Sequence, residues 1–192
     1  MLHPLDIGTT LSEGWRTFTK NAVALIVGAI LMVVGILVTL GLGSGAMVIG
    51  YNAMCLRAAR GEAIAPADVF QGFSHFVPGL ILMILGSIAV CIGTALCIIP
   101  GLVVGVLIYW GAWFMADGES DPMECLRRSW AYNKANVGPV VVFIIVNTIV
   151  NSIGGAIGGV GSLVTMPVAM AMAAHGYLRA FGSQTAVESP SF

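Results

Sequence analysis

Four acidic side chains in the segment ADGESDPME form the densest set of groups that could carry out chemistry. They are Asp117, Glu119, Asp121 and Glu124. Carboxylates two or three residues apart are typical of cation sites, but this segment lacks the glycine of an EF-hand calcium loop. We therefore expect loop and helix-capping roles for these acids. Whether they bind a cation is left open by the sequence.

A second set of polar groups lies within the apolar C-terminal third of the chain. Asn147 and Asn151 are four residues apart and share one helix face, and Pro167 lies in the next apolar segment. Two interpretations are open. The amides form hydrogen bonds to a neighbouring helix, worth roughly 1 kcal/mol each, or they line a polar midplane site for a substrate. We expect the first. His175 is expected to be structural.

No catalytic, metal-binding or cofactor-binding motif is found in the sequence. It contains neither HExxH nor GxSxG, and its four cysteines have no metal-ligand spacing. The long apolar segments contain no Asp, Glu, Lys or Arg, whereas membrane enzymes and ion-coupled transporters usually keep ionisable groups there. We therefore expect no cofactor, and a non-enzymatic role is favoured over an enzymatic one.

The composition indicates a membrane protein. Of the 192 residues, 58% are hydrophobic and only 9% are charged, whereas soluble domains carry roughly 25% charged residues. So few charges cannot cover the surface of a soluble protein of this size. Membrane lipid is therefore the expected partner, and the charge pattern gives no indication of a nucleic-acid partner.

Charged residues and histidine divide the chain into three uncharged blocks, each long enough for two membrane crossings. Each block has turn-forming residues at its centre, in LGLGSG, CIIPG and GGAIGGVGS. The sequence therefore predicts an all-α integral membrane protein with six transmembrane helices in three hairpins, the second turning at Pro100 and Gly101. The second span is short, so a re-entrant first hairpin is the alternative. The blocks are bracketed by Lys20 and Arg57, by His75 and Asp117, and by Lys134 and Arg179.

The distribution of basic residues predicts the orientation. In the six-span arrangement all eight Lys and Arg residues lie on one side of the membrane, and that side is cytoplasmic by the positive-inside rule. We expect a multi-pass protein of the bacterial inner (cytoplasmic) membrane with both termini in the cytoplasm. Residues 1–182 are expected to form one polytopic domain, and residues 183–192 a disordered tail.

An internal repeat of about 57 residues is predicted by equivalent positions. Trp15, Phe73 and Trp130 are 58 and 57 residues apart, and glycines at the three predicted turns, including Gly158, keep similar spacing. We predict that each unit consists of a cytoplasmic amphipathic helix followed by a transmembrane hairpin. The three units cover approximately residues 5–60, 64–117 and 121–180.

The amphipathic helices are expected at the membrane interface with their aromatic faces toward lipid. The third is the clearest, since DPMECLRRSWAYNK opens with Asp121 as N-cap, Pro122 at the first helical position and Glu124 at the third. The alternative is that these faces pack against the inner end of the bundle. The expected interfacial anchors are Trp15, Phe73, Trp130, Arg127 and Arg128.

The IIPG turn, the span ending at Ala116 and Asp117, and the helix with CLRRSW resemble a group of bacterial multi-pass membrane proteins. The group includes YciC-like inner-membrane proteins and the membrane domain of some glycerophosphoryl diester phosphodiesterases. The resemblance covers roughly residues 10–182. It implies a membrane fold and supplies no catalytic residues, because the phosphodiesterase activity would reside in a separate domain.

These observations favour an accessory or scaffold subunit that binds lipid, a membrane protein partner or a second copy of itself. The alternative is a small transporter or lipid-handling protein with a site between the hairpins, near the asparagine pair.

Overall fold

The computed structural model describes residues 7–96, 98–156 and 161–185, and within these ranges the chain is helical with short connections and no strand. Helix α8 runs to Thr185, and the rest of the predicted tail lies outside the described residues, as does Gly158. The helices are α1 (Ile7–Val38), α2 (Ser44–Ala59), a 3-10 helix (Pro66–His75), α3 (Phe76–Leu96), α4 (Ile98–Ile108), α5 (Gly111–Ala116), α6 (Pro122–Ala135), α7 (Val137–Ala156) and α8 (Ser162–Thr185).

Three helical stretches are long and apolar enough to cross a membrane. They are Gly8–Val38, Pro66–Ala95 and Val137–Gly155, and Gly101–Ala116 is a shorter apolar stretch. The prediction of an all-α membrane protein is confirmed at the level of these three helices.

Helices α2 and α8 form the centre of the bundle. Both are buried along most of their length, and they contact each other as well as α1. The outer helices instead expose large apolar side chains, such as Leu37 on α1, Val77 on α3 and Ile149 on α7. Because α2 and α8 face protein rather than lipid, small and polar residues are tolerated there. This explains why neither matches the hydropathy of the three long stretches.

The second turn lies slightly earlier than the sequence predicts. Helix α3 ends at Leu96 and α4 begins at Ile98, so Pro100 lies in the first turn of α4. Proline is tolerated there because the first turn does not need its N–H. Gly101 lies directly against the backbone and hydroxyl of Thr94, which brings α3 and α4 together.

Asparagine marks the end of two of the segments predicted as cytoplasmic helices. Asn21 interrupts α1 with φ −122° and ψ 23°, and Asn136 separates α6 from α7 with φ −128° and ψ 35°. Each side-chain amide donates to the carbonyl four residues earlier, at 3.2 Å to Thr17 and 2.9 Å to Tyr132. The two junctions therefore have similar backbone angles and the same side-chain hydrogen bond.

The segment before α3 is a 3-10 helix rather than the amphipathic α-helix expected from the other two units. Its two phenylalanines and the first residue of α3 are three residues apart, and side chains at i and i+3 eclipse in a 3-10 helix. The rings of Phe70, Phe73 and Phe76 accordingly stack, with centroids 6.5 and 6.0 Å apart. A spacing of three thus matches the 3-10 period and not the α period.

The 3-10 helix packs against α2 with the two backbones in contact. A Cβ atom on Gly50 would overlap the Val69 carbonyl oxygen, and one on Gly72 would overlap the Ala46 carbonyl oxygen. Neither clash can be relieved by moving a side chain, because both involve main-chain atoms. The absence of side chains at these positions therefore sets the distance between the two helices.

We expect Gly50→Ala and Gly72→Ala each to lower the free energy of unfolding in detergent by about 1–3 kcal/mol, as overpacking does. The matched controls are Gly105→Ala and Gly138→Ala, where an added Cβ meets no atom within 4 Å. Alanine favours helix over glycine, so the controls should leave stability unchanged or raise it. Equal losses in all four variants would show that this backbone contact does not limit stability.

Candidate functional site

The acidic loop and the neighbouring helix ends form a network of paired charges. Glu119 contacts Arg128 at 3.5 Å, and Glu124 contacts Arg127 at 2.7 Å and Arg128 at 2.9 Å. Hydrogen bonding from Arg128, together with the charge of both arginines, lowers the pKa of Glu124. Asp121 accepts from the Met123 N–H at 2.9 Å, which confirms its predicted role as N-cap of α6.

Asp117, the first of these acids, connects α5 with α2 and α8. It follows α5, bonds to the Arg60 guanidinium after α2, and accepts from the Tyr177 hydroxyl of α8 at 3.2 Å. Its side chain is 6% exposed, and the rings of Trp113 and Phe114 pack on Tyr177. Among the described residues, no group of three or more His, Cys, Asp or Glu side chains could hold a metal ion. Each of the four acids bonds to groups of the protein itself.

Asp117 is much more buried than its partner Arg60. Removing one side chain or the other should therefore cost different amounts of stability. Arg60→Gln leaves a buried carboxylate without its cation and should lower the free energy of unfolding by about 3 kcal/mol or more. Asp117→Asn leaves Arg60, whose side chain is 34% exposed and reaches water, so its cost should be clearly smaller.

Chemical unfolding in detergent measures both variants. The control is Arg127→Gln, which breaks a pair whose arginine side chain is 79% exposed and should cost at most about 1 kcal/mol. A larger loss for Asp117→Asn than for Arg60→Gln would contradict this account.

Helix α6 supplies hydrogen-bond partners to backbone groups that lack helical partners between α4 and α5. The Ser129 hydroxyl accepts from the Trp110 N–H at 3.0 Å and donates to the Leu107 carbonyl at 2.9 Å. The Asn133 amide donates to the Val106 carbonyl at 2.6 Å. Trp110, Ser129 and Asn133 are fully buried, so water cannot replace these bonds. The sequence analysis missed this role, although the spacing of four between Ser129 and Asn133 places both on one face of α6, next to the face that carries Trp130.

We expect Ser129→Ala and Asn133→Ala each to lower the free energy of unfolding by about 1–3 kcal/mol, because each leaves buried backbone groups without partners. The double variant should lose less than the sum, since the two side chains share the Leu107 carbonyl and lie in one network. Unfolding in detergent measures this, with Lys134→Ala on the exposed face of α6 as control. Full additivity would contradict a shared network.

The predicted midplane residues lie in different surroundings. The Asn147 amide donates to the Ala169 carbonyl of α8 at 2.6 Å, Asn151 is exposed on the outer surface, and Pro167 is buried. The Asn147 bond joins two helices, as the first interpretation of these residues predicts. A polar midplane cavity stays a prediction.

The predicted aromatic anchors are all partly exposed. Trp15 is 54% exposed, Phe73 37% and Trp130 44%, and the side chains of Arg127 and Arg128 are 79% and 37% exposed. Exposed aromatic rings beside basic side chains suit the region where lipid tails meet headgroups. Anchoring itself stays a prediction.

Two concave sites lie beside the helices that precede the predicted spans. The first, here named the α3–α4–α6 groove, has a volume of about 570 Å³ and walls formed by Ala89, Val104, Ile108 and Leu126. Its rim carries Trp130 and the charged side chains of Asp121, Glu124 and Arg127. The second, here named the α1 cleft, has a volume of about 510 Å³ and a polar lining that includes Arg16, Lys20 and His175.

The fold and these sites define the class as an all-α protein with helices of membrane-spanning length. The chain is similar to uncharacterized proteins of two mycobacteria. It is 23% identical to one from Mycobacterium bovis and 24% identical to one from Mycobacterium tuberculosis, in each case over 93% of this chain and 70% of the relative. No protein-family model matches the chain, and no solved structure matches it. The resemblance to YciC-like proteins and phosphodiesterase membrane domains therefore stays a prediction.

Proposed function

We propose that this chain is a non-enzymatic protein of the bacterial inner (cytoplasmic) membrane that binds a phospholipid at its cytoplasmic face, as an accessory or scaffold for a membrane assembly. The proposed topology has six spans in three hairpins, with both termini in the cytoplasm. The equivalent bends at Asn21 and Asn136 support the internal repeat, because they have the same offset as Trp15 and Trp130.

The observation that carries the proposal is the α3–α4–α6 groove. Its walls are apolar and belong to helices that expose Ile and Val outward, such as Ile88 and Val103. Its rim combines the indole of Trp130 with the opposite charges of Arg127 and Glu124. An apolar groove that ends beside an exposed guanidinium matches a lipid chain joined to a phosphate-bearing headgroup, with the phosphate beside Arg127, whose side chain is 79% exposed.

Three polar side chains that could take part in chemistry are already bonded to protein groups, which favours binding over catalysis. Asp117 is held by Arg60 and Tyr177, Ser129 bonds to backbone groups, and the Asn147 amide bonds to a helix carbonyl. A transporter needs polar groups that exchange protein partners for substrate. Asn147 would have to give up a helix–helix bond to do so, which supports the accessory role over the transporter alternative.

Native mass spectrometry of the protein extracted in its own lipid patch tests this proposal. We expect a retained phospholipid, a stoichiometric membrane partner, or both. Val104→Trp should obstruct the groove and lower the retained lipid several-fold, because the indole occupies part of the space that an acyl chain needs. The matched control is Val33→Trp, which places the same ring on the exposed face of α1. Equal lipid retention in the two variants would contradict the groove as the site.

A second result would overturn the functional class itself. The purified protein alone, reconstituted in vesicles, should neither move a solute nor turn over lipid. A useful rate of either would exclude the accessory role and favour the transporter or an enzyme.

A further inference from the structure

The α1 cleft lies where the first part of α1, the end of α2 and α8 meet, away from the α3–α4–α6 groove. Arg16, Thr17 and Lys20 line it from one side, and His175 lines it from α8. On the α2 side the chain turns at Gly61, whose φ of +82° is in the left-handed region that glycine favours. The turn brings Glu62 to the cleft. The lining is thus built from three separate elements.

Both acids that line the α1 cleft are paired with arginines that do not line it. Glu13 bonds to Arg179 at 2.9 Å, and Glu62 bonds to Arg57 at 3.1 Å. Within the described part of the chain, neither Arg16 nor Lys20 forms an ion pair. The cleft therefore contains two cations that its own carboxylates do not balance.

The wall behind these cations is held in place by hydrogen bonds. The Thr17 hydroxyl lies 2.8 Å from His175 Nε2, and the opposite ring nitrogen of His175 lies 3.6 Å from Glu13. Thr17 is 8% exposed, so this part of the wall is largely closed to water. Glu13 is therefore bonded to Arg179 and lies beside His175, and it forms no ion pair with either cation.

Arg16 and Lys20 have no basic counterpart in the third predicted repeat unit. By the offset that relates Trp15 to Trp130, Arg16 and Lys20 correspond to Ala131 and Ala135 of α6. The third unit thus keeps the aromatic residue and the bend without the two charges. Folding of this helix type therefore does not require the two charges, and they are available to a ligand of the cleft.

We propose that the α1 cleft binds a phosphate group, carried by a membrane phospholipid or by a soluble phosphate ester. The guanidinium of Arg16 offers a planar pair of donors that suits phosphate oxygens, and Lys20 on the same helix face adds a second positive charge. Trp15 is exposed beside Arg16. With its indole ring at the membrane–water interface, Trp15 would place the cleft at the depth of the lipid headgroups.

The test uses the full chain, freed of lipid in a neutral detergent, with bound ligand counted by native mass spectrometry. The probes are phosphatidylglycerol, diacylglycerol with the same chains, and glycerol phosphate. We expect Arg16→Gln and Lys20→Gln each to weaken binding of phosphatidylglycerol about fivefold, as expected for one basic side chain at an anionic headgroup. Binding of diacylglycerol should not change. The matched control is Lys134→Gln, another exposed lysine near the end of a helix.

The outcomes separate the sources of the phosphate and decide the proposal. Displacement of phosphatidylglycerol by glycerol phosphate would assign the cleft to a soluble ester, and resistance to it would assign the cleft to lipid. The proposal is overturned if Arg16→Gln and Lys20→Gln weaken binding no more than Lys134→Gln, or if they weaken diacylglycerol binding equally. Since Val104→Trp changes only the α3–α4–α6 groove, failure of either site is recognised without the other.

Discussion

The break between α4 and α5 is the constraint on which the predicted cytoplasmic end of the structure depends. Backbone groups freed within or beside lipid must find partners in the protein, because no water is there to bind them. Ser129 and Asn133 supply those partners from α6. Their bonds fix α6 against the end of α4 and, with it, the outward direction of Trp130.

The same contact orients the residues on both sides of it. Because α5 begins at the break, its position places Asp117 against Arg60 and Tyr177 and so connects α2 and α8. Helix α6 lies across α4. Its side chains Leu126 and Arg127 therefore form one end of the α3–α4–α6 groove. A buried hydrogen-bond network thus positions a site formed mostly by surface residues.

The architecture also explains the distribution of polarity. The central helices α2 and α8 contain alanine, glycine and buried polar groups such as Asn52, whereas the outer helices present Ile, Leu and Val. Gly14 adds to this arrangement, since its missing side chain lets α1 approach the backbone of Met172. Close contact through small residues replaces the hydrophobic driving force that helices lack in lipid.

Much of the fold could be predicted from local signals in the sequence. Asp121 and Pro122 identify the start of α6 because capping depends only on neighbouring residues. The turn before α4 was placed too late, because Pro100 fits the first turn of a helix as well as it fits a loop. The contact between Gly50 and Gly72 could not be predicted, since nothing local distinguishes these glycines from Gly105, where an added Cβ would meet no atom within 4 Å.

In the candidate sites, too, features set by local spacing could be predicted and features set by contacts between distant residues could not. Trp15, Phe73 and Trp130 were found from their spacing, and all three are partly exposed. Ser129 and Asn133 were missed because their partners are backbone atoms of another helix, and a backbone break leaves little trace in the sequence. The balance of charge in the α1 cleft depends on the Glu13–Arg179 pair, which joins the two ends of the chain.

Labelling with a membrane-impermeant maleimide in spheroplasts tests the hairpin arrangement most directly. With the native cysteines replaced by alanine, Leu42→Cys marks the exposed first turn and Ser120→Cys marks the acidic loop. The arrangement predicts that Leu42→Cys reacts in intact spheroplasts and that Ser120→Cys reacts only after the membrane is opened. Reaction of both from the same side would contradict the arrangement of six spans in three hairpins.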